Sequence, residues 1–133
     1  MAGVGKGDRL VGAALLFVAA ALHVVAAFDP MHMQKPLFLT FFWTVVVAQS
    51  IGGLAILRGG FAIAAVVTAM NVFLILAFIA TRSVPVPGEA MPEPIEVLGV
   101  ITSAVEAATL PFLIRIVRFR ARPLVPGRPT EAL

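Results

Sequence analysis

Four long runs of apolar positions dominate the chain, at about 10–28, 37–57, 61–81 and 95–117. Each is close to the ~20 residues that a helix needs to cross a hydrocarbon core of ~30 Å. The first run holds no acid, lysine or arginine, whereas the fourth carries Glu106 and Arg115. The pattern predicts an all-α protein, a four-helix transmembrane bundle forming a single integral membrane domain over residues 1–133. The first run is too long for the ~7–15 apolar residues of a signal-peptide core, so it reads as a retained helix.

The breaks between runs agree with four helices. Asp29 and Pro30 end the first, and Pro36 suits the first turn of the second. Arg58, Gly59 and Gly60 form a short connection that forces the second and third runs into a hairpin. The prolines at 85, 87, 92 and 94 exclude a continuous helix there, which leaves a long loop before the fourth run.

Four spans put both termini and the Arg58 turn on one side. That side collects Lys6, Arg9, Arg58, Arg115, Arg118, Arg120, Arg122 and Arg128, and leaves Lys35 and Arg82 opposite. Cytoplasmic loops are enriched in such residues. The expected location is therefore the inner (plasma) membrane, with the N-terminus and C-terminus cytoplasmic and the 23–36 segment exterior.

Composition sharpens this picture. Of 133 residues, 60% are hydrophobic and 13% charged, and the mean hydropathy is +1.03. Soluble domains carry ~25% charged residues, and a small one exposes too much surface to hide this much apolar area. With no cysteine there is no disulfide and no thiolate site. A net charge of +3 raises the question of nucleic acid, but the arginines sit beside apolar spans, which points to lipid head groups.

Polar groups inside a bilayer are costly and need a partner or a purpose. Counted from the exterior helix ends at ~1.5 Å per residue, Gln49, Asn71 and Glu106 lie at roughly 18, 15 and 16 Å. His23 lies at roughly 7 Å, and this offset of roughly 9 Å argues against its acting directly with Glu106. Gln49, Asn71, Ser103 and Glu106 form an expected intramembrane polar core. Its amides and carboxyl either lock helix packing by mutual hydrogen bonds or serve a proton relay, an ion site or a lipid or quinone head group. Glu96, Gly99, Ser103, Glu106 and Leu110 share one helix face, and its small residues admit a close neighbour, as do Ala48 and Gly52 on the second span. Pro111 removes a backbone donor, and a kink there would widen the bundle on the cytoplasmic side of Glu106.

The segment His23 to Pro36 holds both histidines. His23, Asp29, Met31, His32 and Met33 offer imidazole, thioether and carboxylate, a ligand set that suits copper better than magnesium or calcium. The alternative is an interfacial loop whose methionines dip into the head groups. Haem held by two histidines is disfavoured, because His32 falls in the loop. No serine, histidine and acid set is placed for hydrolysis, and no glycine-rich phosphate loop appears.

A histidine late in the first span, Phe41-Phe42-Trp43 and Gln49 in the second, Asn71 in the third and the stretch from Thr81 to Gly99 together resemble small four-span membrane proteins of high-GC actinobacteria. That group has no settled activity, so the resemblance implies topology and marked residues only. Arg115, Arg118, Arg120 and Arg122 are expected contacts for anionic lipid, each contributing ~1 kcal/mol near a charged leaflet. Pro123 stops the helix, and 123–133 reads as a flexible tail. The functional expectation is a non-catalytic accessory or structural subunit of a larger membrane complex, such as a respiratory or metal-dependent oxidase or monooxygenase. Its partners would be other membrane subunits. The alternatives are a copper-binding protein open to the exterior, a small proton-coupled carrier using Glu106, and a lipid-modifying enzyme with Glu106 as acid/base.

Overall fold

The computed structural model describes residues 5–120, without the side chains of Phe61, Phe119 and Arg120. Arg122 and the expected flexible tail at 123–133 lie outside the described residues. Regular structure among the described residues is all helical: α1 (Lys6–Ala27), α2 (Pro30–Met33), α3 (Pro36–Leu57), α4 (Phe61–Ser83) and α5 (Val97–Arg120). Four of these are long and apolar enough to cross a membrane. The helices match the apolar runs closely. The first begins four residues before position 10, and the last begins two residues after position 95, with the first bond of α5 closing from Val100 N–H to Glu96 O.

The helices form a ring in which α1 packs on α3 and α5, and α4 packs on α5 and, more lightly, on α3. Among the described residues the backbones of the diagonal pairs, α1 with α4 and α3 with α5, do not approach closely. This is the up-down-up-down bundle that short connections dictate. One end carries the Arg58–Gly60 turn and is called the turn end. The other carries α2 and the 84–96 segment and is called the loop end. α1 is the most enclosed of the long helices.

Local chemistry sets these elements. Gly59 holds φ at +84°, a left-handed conformation that glycine adopts without strain, and so reverses the chain between α3 and α4. Pro36 occupies the first turn of α3, where its missing N–H costs nothing. The 29–33 segment, expected to be loop, is a one-turn helix instead. Asp29 accepts a hydrogen bond from Met31 N–H at 2.9 Å, and Pro30 follows at the first helical position. That pair is a helix start as well as a helix stop.

The turn-end half is a dry core of Leu16, Ile56, Ala64, Val67, Leu113 and Ile116. Close backbone approach makes it so. A Cβ on Gly52 would stand 2.5 Å from Val67 Cγ2, so no side chain fits there. Beyond Pro111, where a widening was expected, Leu113 and Ile116 are buried. α5 continues through Pro111 to Arg120, and Leu113, one turn from the acid-bearing half, is fully buried. At the surface of this end Arg115 meets Asp8 at 3.4 Å, and Arg118 is exposed.

Candidate functional site

The loop-end half of the bundle is hollow. A cavity of about 270 Å³ lies on the loop-end side of the contact between Gly52 and Val67. Its walls are Phe38, Phe41 and Phe42 of α3 and Leu74, Ala77 and Phe78 of α4. The α5 face singled out by its spacing, Glu96, Gly99, Ser103 and Glu106, lines the opposite side. At ~30 Å³ for each water-sized group, the space admits roughly nine such groups.

Glu106 forms the floor and is only 2% exposed. Its Oε1 accepts from Gln49 Nε2 at 3.2 Å and lies 2.9 Å from His23 Nε2. An oxygen already accepting from an amide is an acceptor towards the ring too, which assigns the proton of His23 to Nε2. Both donors converge on Oε1, so Oε2 is left for whatever occupies the cavity. His23 Nδ1 and Gln49 Oε1 have no partner among the described residues.

This arrangement corrects two expectations. The depth offset that separated His23 from Glu106 is absent, and their side chains touch. Counting residues treated the exterior helix ends as level. Here α1 stops four residues past His23, whereas α5 begins nine residues before Glu106. α2 fills the step, with His32 Nδ1 donating to Ala26 O at 2.9 Å. Asn71 also does not join the network. It is fully buried, yet neither its Nδ2 nor its Oδ1 has a partner. One turn towards the turn end, Val67 packs on Gly52, and Gln49 and Asn71 lie one turn beyond that contact on the same antiparallel pair.

Of the five candidate copper ligands, His23 and His32 both line the cavity and both pack on Phe42, at 5.8 and 4.9 Å between ring centroids. Met31 and Met33 are 51% and 55% exposed. Asp29 caps α2, and His32 is buried, stacked on Phe38 at 5.5 Å between ring centroids. Among the described residues no three His, Asp or Glu side chains gather as a metal set.

The mouth holds residues that their positions in the sequence did not mark. Arg82 lies over the Phe78 ring at 4.2 Å and donates to Thr81 Oγ1 at 2.7 Å. Lys35 Nζ binds Glu89 and Glu93, each at 3.0 Å, and Glu93 N–H donates to Thr81 O at 2.9 Å. The 84–96 segment is thereby tied to the α2–α3 junction beside the cavity. These hydrogen bonds to Glu89 and Glu93 raise the Lys35 ammonium above its ordinary range. The one available signal was pairing of opposite charges at the loop end, where Lys35 is the only lysine.

No protein-family model matches the chain, and neither the curated proteins nor the solved structures contain a significant match. The resemblance to small actinobacterial membrane proteins accordingly gains no support from them.

Proposed function

We propose that this is a membrane-embedded binding protein that takes a small, largely apolar molecule with one polar group into the loop-end cavity. The loop end faces the exterior in this reading, in keeping with the distribution of lysine and arginine. One observation carries it: an aromatic, apolar-walled hollow ends on a buried carboxyl with Oε2 unengaged. Ligand pockets have this composition, apolar walls with few convergent polar groups, although this one is slightly below the usual ~300–1,000 Å³. No chemical step is proposed. The contact of His23 with Glu106 removes the earlier objection to an acid–base pair, but among the described residues neither is hydrogen-bonded to a hydroxyl or a second carboxyl.

The test is binding of n-octanol to the protein in lipid nanodiscs, with empty discs as the baseline. Wild type is expected to bind about one equivalent, and Ala77→Trp, which fills the hollow, is expected to bind none. Equal uptake by both would overturn the reading.

The accessory-subunit reading is second. It is favoured by α4, where Val66, Phe73, Leu76 and Ile79 all point outward and are more than half exposed. Lipid satisfies the same face, and α1, the other helix counted on for partners, is largely enclosed. Co-purification of stoichiometric partner chains in mild detergent tests it. A carrier draws less support, since the dry core around Leu16, Ile56 and Leu113 closes the path on the turn-end side of Glu106.

A further inference from the structure

Resting on the cavity as a binding site, we infer that its occupant is a lipophilic amine, held as the ammonium by Glu106 Oε2. Apart from Arg82, whose Nε is a buried donor without a described partner, the polar atoms of the hollow are biased towards acceptors. The proton on Thr102 Oγ1 is spent on Leu98 O at 2.8 Å, and that on Thr81 Oγ1 on Phe78 O at 3.1 Å. His32 Nδ1 gives its proton to Ala26 O, which leaves Nε2 of the neutral ring as an acceptor. Glu96 adds a second carboxyl to the wall. Ser103 contributes the remaining hydroxyl.

Charge points the same way. Arg82 is the one lysine or arginine lining the cavity among the described residues, and it is held at the mouth against Phe78 and beside Gly99. Gly99 is seven residues from Glu106, roughly 10 Å along the helix at ~1.5 Å per residue. Among the described residues the floor therefore has no lysine or arginine. An ammonium supplies a positive charge at Oε2 and offers a charge-assisted hydrogen bond, about twice as strong as a neutral one. Phe38, Phe41, Phe42 and Phe78 line the hollow, and aromatic rings favour both a cation and the burial of an alkyl stem. A carboxylate would meet Glu106 and Glu96 instead. An alcohol donates to Oε2 but brings no charge.

The experiment titrates n-octylamine, n-octanol and octanoate into wild type and Glu106→Gln in lipid nanodiscs, again against empty discs. Wild type is expected to bind octylamine about tenfold more tightly than octanol, and octanoate least. Glu106→Gln is expected to lose the tenfold preference, binding octylamine no more tightly than octanol, and Trp43 emission matching wild type shows that the bundle is intact. A difference infrared spectrum of the octylamine complex should contain a carboxylate band that Glu106→Gln lacks. If wild type binds octanol as tightly as octylamine, the amine inference fails while the binding reading stands. If no ligand binds wild type above empty discs, both fail. An amine preference that survives in Glu106→Gln also overturns the inference, since Oε2 would then not be its source.

Discussion

Removing the Glu106 side chain tests the polar floor as a structural hub. Glu106→Ala deletes an acceptor shared by His23 Nε2 at 2.9 Å and Gln49 Nε2 at 3.2 Å. Interhelical hydrogen bonds in membrane proteins average about 0.6 kcal/mol and reach about 1.7. Two such bonds, and two donors stranded in an apolar interior, put the polar part of the loss at about 1–3 kcal/mol. Glu106→Gln keeps an acceptor at the same place and should lose less than about 1 kcal/mol. The cleaner quantity is the coupling between His23→Ala and Glu106→Ala in a double-mutant cycle, because losses of packing common to both cancel. It is expected at about 1 kcal/mol, within the range of roughly 0.6–1.7. The assay is reversible unfolding in mixed micelles of graded denaturing detergent, followed by the single tryptophan. Trp43 sits edge-on to Phe28 at 6.1 Å, so its emission reports separation of α3 from the end of α1. Additivity within about 0.3 kcal/mol would refute the hub, since residues in direct contact should couple.

Further outcomes follow from other contacts. Gly52→Ala drives a methyl to 2.5 Å from Val67 Cγ2 and should destabilise by about 1–3 kcal/mol in the same assay, relieved in part by Val67→Ala. Asn71→Leu removes a buried amide with no described partner and should be neutral or stabilising by about 1 kcal/mol; a loss of that size would mean the amide is bonded after all. Lys35 has a folded-state pKa raised above its ordinary 10.5 by Glu89 and Glu93, so its contribution is complete below that value and is lost as pH rises through the raised one. Wild type should therefore exceed Lys35→Gln in stability at neutral pH, with the difference shrinking only in strongly alkaline solution. A gap unchanged by alkali would count against the clamp.

The spans were legible because crossing a bilayer demands length and apolarity, and both are local properties of the chain. The α5 face from Glu96 to Glu106 was legible for a similar reason, as helical spacing alone puts those residues together. The contact of His23 with Glu106 was not, because it depends on how far one helix slides past another, and no single helix encodes that offset. Asp29 with Pro30 was read only as a stop, although the same two residues start α2. The hollow itself was not legible because its lining is assembled from all five helices and the 84–96 segment. The Lys35 clamp was hidden because Glu89 and Glu93 come from a distant segment of the chain.

The most direct measurement uses the absence of native cysteine. Ser103→Cys lines the hollow, and Leu113→Cys lies in the dry core at 0% exposure, both on α5. A small water-soluble methanethiosulfonate applied to the loop end should modify Ser103→Cys quickly and leave Leu113→Cys essentially unreacted. Equal rates at the two positions, or protection of Ser103→Cys, would contradict a cavity that opens at one end and is sealed at the other.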